Sequence, residues 1–155
     1  MKFLASLLVT SLLFTSASWE TNFNDAKSEA AKNNKYILVN FSGSDWCLPC
    51  IQLKKKIFES EDFIGYANAN LVLVNADFPR QNKHKLDPTQ KKQNEDLAGV
   101  YDAEGKFPYT VLLNAEGRII HQWDGLPDVS PAEFVEQLKE SISLNSSAGK
   151  GQPQQ

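Results

Sequence analysis

The chain has 155 residues, 41% of them hydrophobic and 23% charged, the make-up of one globular domain rather than a repeat array or a low-complexity polymer. With 16 Lys+Arg against 19 Asp+Glu the net charge is −3, so neither nucleic acid nor an anionic membrane surface is an expected partner. Only two cysteines occur, Cys47 and Cys50, which excludes a disulfide-stapled scaffold and a four-thiolate metal centre.

Met1-Lys2 is a short basic start. Residues 3–14 are apolar except Ser6, Thr10 and Ser11, and the small residues Ser16, Ala17 and Ser18 follow. This is the layout of a secretory signal peptide over residues 1–18, with cleavage expected after Ser18 and Ala17 as the alternative. About twelve apolar residues are too few for a bilayer that needs about twenty. The mature protein is therefore expected to begin at Trp19, to be soluble, and to be exported to the periplasm or otherwise secreted. Loss of Lys2 takes its charge to −4.

Asn24 is read as the cap of a helix reaching about Asn33, with Ala26, Ala30 and Ala31 on one face. Residues 36–41 (Tyr-Ile-Leu-Val-Asn-Phe) form a near-continuous apolar run, the mark of a strand covered on both sides. A loop, Ser42-Gly43-Ser44-Asp45, leads to a helical pattern from Cys47. There Ile51, Leu53, Ile57 and Phe58 are apolar, Lys54, Lys55 and Lys56 are solvated, and Pro49 is tolerated in the first turn. Residues 71–76 read as a second buried strand. Residues 78–92 are a polar insertion of about +4, read as a solvated loop, with partner docking as the minority reading.

A short helix is expected over 94–101. Two strands follow, over 110–113 and 118–123, joined by the turn Asn114-Ala115-Glu116-Gly117. Ser130-Pro131-Ala132-Glu133 is a capping box opening a helix that buries Phe134, Leu138 and Ile142. From Asn145 the chain reads as a disordered tail, so the expected domain spans 19–144 and the tail 145–155. Strands alternating with helices imply an α/β domain: a central sheet with helices on both faces, made mixed by the closing hairpin.

The cysteines enclose only Leu48 and Pro49, and so short a loop constrains the unfolded chain little. Redox chemistry is the stronger reading. Cys47 lies where a buried strand gives way to a helix, and unpaired N–H groups at a helix start favour a thiolate, the species that attacks disulfides. Cys50, one turn on, is placed to resolve the mixed disulfide.

At these residues the chain resembles the thioredoxin superfamily, specifically its exported bacterial thiol–disulfide oxidoreductases. The matching segments are Val39-Asn40-Phe41, Trp46-Cys47-Leu48-Pro49-Cys50, Val74-Asn75-Ala76-Asp77 and Phe107-Pro108-Tyr109-Thr110, with Gly117 and Gly125. The likeness covers about Trp19 to Leu144. It implies a thioredoxin-like fold and a cis Pro108 packed against the cysteine pair. The backbone of Phe107 would then be free to bind an extended substrate as an added strand. Cys47, Cys50 and Pro108 are accordingly the expected catalytic residues. Two departures stand out: Asn40 and Leu73 occupy places where thioredoxin itself carries a buried Asp and a Lys. Asn40 cannot ionise, so deprotonation of Cys50 must rely on water, on Asp45, or on the leaving thiolate.

Trp46, Leu48, Phe107 and Tyr109 are expected to form an apolar docking patch around one exposed sulfur. His84 and His121 are isolated in sequence and expected to ligate nothing, and no metal site is expected. No bound cofactor is needed, since the electrons reside on the two sulfurs. Pro49 matches the reducing members of the superfamily, so a reductase or isomerase of disulfides in exported proteins is expected, working as a monomer. The resemblance also implies a membrane electron-donor protein. A disulfide-forming oxidase, a soft-metal carrier holding Cu(I) on the same pair, and an interaction module with spectator cysteines are the alternatives.

Overall fold

The computed structural model describes residues 17–149. The segment read as a leader therefore lies outside the described residues up to residue 16, as does the expected tail from residue 150.

The two apolar runs form the middle of a sheet. β1 (Trp19–Glu20) is short, and the central β2 (Tyr36–Ser42) and β3 (Leu71–Asp77) pair in parallel, from Tyr36 opposite Leu71 to Ser42 opposite Asp77. β4 (Tyr109–Leu113) runs antiparallel along the other side of β2, and β5 (Ile119–Asp124) pairs antiparallel with β4. β1 lies parallel to β3 on its outer edge, giving the order β1-β3-β2-β4-β5. The sheet is mixed, as the hairpin implies. Gly117, at φ +87°, takes the left-handed position in that hairpin turn, a conformation open to glycine at no steric cost.

Alternation along the strands divides the core in two. Leu38, Leu71, Leu73 and Leu112 face α2 (Leu48–Leu53), α3 (Glu61–Asn70) and α5 (Pro131–Gly149), with Leu53, Phe63, Phe134 and Leu138 filling that layer. Ile37, Val39, Phe41, Val72, Val74, Val111 and Leu113 face α1 (Phe23–Asn33) and α4 (Pro88–Tyr101), which contribute Ala26, Ala30 and Leu97. Helices cover both faces, which is why β2 and β3 are apolar at nearly every position. Among the described residues no helix is long and apolar enough to cross a membrane.

Several boundaries differ from the sequence expectation. Asn22, not Asn24, caps α1, its side chain accepting from the Asn24 and Asp25 N–H groups, and Ala31 is exposed. α2 passes into a π-helical turn over Lys54–Phe58. The expected pattern does not include α3, which is capped by Ser60 and buries only Phe63 and Ala67. Half of the polar insertion is helical. Asp87 accepts from the Thr89 and Gln90 N–H groups and Pro88 opens α4. Lys91 and Lys92 then sit one turn from Glu95 and Asp96, as a solvated helix face allows. The tail expected to be disordered from Asn145 is helical to Gly149; there the Ser146 and Ser147 hydroxyls donate to the Ile142 and Ser143 carbonyls, and the Tyr36 and Ser146 hydroxyls lie 3.3 Å apart.

Candidate active site

The site is built where β2 ends. The chain turns at Gly43, whose carbonyl accepts from the N–H groups of Trp46 and Cys47. A Cβ at Gly43 would run into the Trp46 indole, so glycine is what lets that ring lie against the turn. Cys47 is extended (φ −89°, ψ 98°) and caps α2. Its Sγ accepts from the Cys50 N–H at 3.3 Å, and its carbonyl accepts from the Ile51 N–H at 3.1 Å. Pro49 falls in the first turn, where a missing N–H costs nothing. Cys47 and Cys50 are joined as a disulfide, their Cα atoms 5.3 Å apart.

Exposure does not separate the two cysteines, which are each 4% accessible in this oxidised form. The single exposed sulfur expected from the sequence is not seen. What separates them is hydrogen bonding: an amide at the start of α2 points at the Cys47 sulfur rather than at that of Cys50. When the bond is reduced, negative charge is favoured on the sulfur that faces that N–H and the positive end of the helix.

The Phe107–Pro108 peptide bond is cis, and Pro108 is buried. Its carbonyl accepts from the N–H of Gly125, which reaches it from a left-handed φ of +80°. Sheet pairing of β4 starts at Tyr109, so Phe107 stands ahead of the ladder. The expected apolar patch is only partly assembled. Leu48 is 63% exposed, and Trp46 and Phe107 are half-buried with ring centroids 5.5 Å apart. Tyr109 is instead core, 8% exposed and packed near Phe41, because β4 is held between β2 and β5 and its odd-numbered positions face α1 and α4. It offers almost no surface to a substrate.

Asn40 sits in a polar row across the sheet. Its amide donates to Asn75 Oδ1 at 3.1 Å on β3, and its Oδ1 accepts from the Thr110 hydroxyl at 3.3 Å on β4. Ser42 donates to the same Asn75 oxygen. Satisfied on both sides, a buried amide here costs little.

The 78–92 segment is tied down beside this site, a feature the sequence reading missed. Asp45 Oδ1 accepts from the Arg80 N–H at 2.9 Å; Oδ2 accepts from the Gln81 N–H at 2.9 Å and pairs with His84 Nδ1 at 3.0 Å. The Trp46 indole N–H donates to the Phe78 carbonyl at 2.8 Å, and the Arg80 guanidinium lies 3.5 Å over the indole ring. The one legible signal was an acidic residue just before Trp46 in a chain with a basic insertion. With both oxygens engaged, Asp45 is not free to accept a proton from Cys50.

The Arg80 N–H, opposed by burial and reinforced by the Gln81 N–H and His84, holds the Asp45 carboxyl below the ordinary carboxylate range. A depressed folded pKa means the tie is complete above the unfolded value and lost as pH falls through the folded one. Protection factors of the Arg80 and Gln81 amides are therefore expected to hold from neutral pH to about pH 5 and to fall below about pH 4. Asp45→Asn, which turns an NH₂ toward one of these donors, is expected to lose them at neutral pH. Equal protection in variant and wild type would contradict the tie.

Comparison with known proteins agrees with this geometry. The profile of a thioredoxin-like domain family matches residues 23–142. Disulfide bond reductase DsbH of Chlamydia pneumoniae is 31% identical over 126 residues, spanning 81% of this chain and 73% of that protein. Thioredoxin-related protein DsbJ of the same organism is 29% identical over 133 residues, 79% of this chain but 37% of that longer protein. Among solved structures, DsbH oxidoreductase superposes with a TM-score of 0.78 at 29% identity, covering 90% of this chain and 94% of its own. A Thermus thermophilus thioredoxin at 18% identity, covering 88% of this chain and 95% of its own, shares the fold with a TM-score of 0.66. With its sheet order, its cis proline and its cysteine pair at the head of α2, the chain belongs to the thioredoxin-like family.

Proposed function

We propose that this thioredoxin-fold thiol–disulfide oxidoreductase reduces or isomerises disulfides in exported polypeptides. The observation that carries the reading is the Cys47 sulfur capping α2 under the Cys50 N–H. In the reduced protein the Cys47 thiolate attacks one sulfur of a substrate disulfide, and the other substrate sulfur leaves as a thiolate. The Cys50 thiolate then attacks Cys47 Sγ. This forms the Cys47–Cys50 bond and releases the second substrate thiolate, so two electrons pass from the pair to the substrate. Phe107, ahead of the β4 ladder, offers its backbone to an extended substrate, and Leu48 with Trp46 offers apolar surface next to Cys47.

The reducing direction is supported by Pro49 and by the likeness to a disulfide bond reductase. Export is supported by the leader pattern of residues 1–18. A membrane protein that supplies electrons completes the cycle, and the domain works as a monomer. Equilibration in glutathione buffers is expected to give a potential near thioredoxin's roughly −270 mV; a value near the roughly −120 mV of strong oxidants would reverse the direction proposed.

A further inference from the structure

A groove of about 440 Å³ opens on the flank of the redox pair, between Trp46 and Phe107 on one side and the 78–92 segment on the other. Its aromatic lining is Trp46, Phe78 and Phe107, with Phe107 edge-on to both other rings. Its charged lining is Arg80, Lys85, Lys91 and one carboxylate, Asp77. Asp77 is spent inward, accepting from Ser42, from the Ser44 N–H and hydroxyl, and from the Phe78 N–H. Lys91 has a loose, exposed pairing with Glu95 at 3.6 Å. Neither Arg80 nor Lys85 has a carboxylate within 4.0 Å among the described residues. A chain of net charge −3 thus presents a cationic groove next to its cysteines.

The groove is also preformed. Asp45 fastens its outer wall at Arg80, Gln81 and His84, and the guanidinium of Arg80 is held flat on the indole, so little side-chain freedom remains to be lost on binding. It is continuous with the redox site through two chain neighbours: Trp46 precedes Cys47, and Phe107 precedes the cis Pro108.

We propose that this groove docks the polypeptide segment beside the substrate's disulfide, and that it selects segments with an aromatic or apolar anchor followed by carboxylates. This rests on the reductase reading above. The anchor displaces water from the three rings, and the carboxylates meet Arg80 and Lys85, which have no carboxylate partner within 4.0 Å among the described residues.

The test uses mature protein and three substrates: hydroxyethyl disulfide, a disulfide peptide flanked by Phe-Glu-Glu, and the same peptide flanked by Phe-Lys-Lys. Wild type is expected to reduce the acidic peptide with a kcat/KM about tenfold above the basic one at low salt, with the gap closing as salt is raised. In Lys85→Glu/Lys91→Glu the ratio of acidic-peptide to hydroxyethyl-disulfide kcat/KM is expected to fall about tenfold. A serine-substituted acidic peptide, which cannot react, is expected to shift the tryptophan fluorescence of the oxidised wild type and not of the double variant. Reduction of all three substrates without a charge preference overturns the docking proposal alone. Failure of the wild type to reduce even hydroxyethyl disulfide overturns the reductase reading, and the proposal with it.

Discussion

Replacing Cys50 with serine is expected to leave Cys47 covalently joined to its substrate, while Cys47→Ser abolishes both trapping and turnover. The asymmetry is that of the proposed mechanism: the Cys50 N–H points at Cys47 Sγ, which favours the attacking anion on Cys47 and leaves Cys50 to act on the mixed disulfide made there. A serine hydroxyl does not ionise usefully near neutrality, so Cys47→Ser should lower the rate by at least about a thousandfold. In Cys50→Ser the first step survives and the second cannot occur. Non-reducing gels and mass spectrometry of variant mixed with a disulfide-bearing polypeptide read this directly. The result also settles whether Cys47, 4% exposed when oxidised, is reachable once reduced. Trapping on Cys50 in the Cys47 variant, with none on Cys47 in the converse variant, would reverse the assigned roles.

Asn40→Asp is expected to flatten the pH–rate profile and to destabilise the fold. Asn40 cannot ionise and both Asp45 oxygens are engaged, so under the proposed mechanism the Cys50 proton is expected to go to water or to the leaving thiolate. Turnover should then climb with the fraction of ionised thiol, up to about tenfold per pH unit below the thiol pKa. An aspartate at position 40 is the acceptor that thioredoxin carries at the matching place, and its presence should raise the rate near neutral pH relative to alkaline pH.

The cost comes from the polar row. Asn75 Oδ1 already accepts from Ser42 and from Asn40, so an ionised carboxylate at position 40 would set oxygen against oxygen, at a cost of about 1–3 kcal/mol. A protonated carboxyl can still donate to Asn75, so the folded pKa of the new acid rises above its unfolded value. The destabilisation should therefore be small below about pH 4 and grow as pH rises through the folded value. Thermal melts of variant and wild type at acid and alkaline pH, beside rate profiles, give both readouts. A profile unchanged by the substitution would remove position 40 from the proton path.

The elements that were legible beforehand are those whose signals are local. Residues 36–41 and 71–76 are apolar throughout because both faces of the sheet are covered. Glu133 bonds Ser130 through both N–H and hydroxyl, as its capping-box spacing implies. α3 escaped because it buries only Phe63 and Ala67 and carries Gly65 mid-helix, leaving Ser60 and its two following acids as faint evidence. The start of α4 was hidden by its lysines, which read as loop until Glu95 and Asp96 are seen to answer them from one turn away. Ser146 and Ser147 read as loop at the other end, yet their hydroxyls bond the carbonyls one turn back while the helix runs on to Gly149.

The sequence by itself determined the placement of two cysteines one turn apart at the head of a helix, a proline just ahead of a buried strand, and the apolar runs that make a sheet between helical layers. Tertiary structure alone decided that Tyr109 is core and that Asp45, Trp46 and Arg80 join across more than thirty residues of chain to build a cationic groove beside the sulfurs. Periodicity and capping act over one or two turns and leave a readable pattern. Pairing between distant residues depends on sheet register and on where an insertion folds back, and no local pattern encodes either.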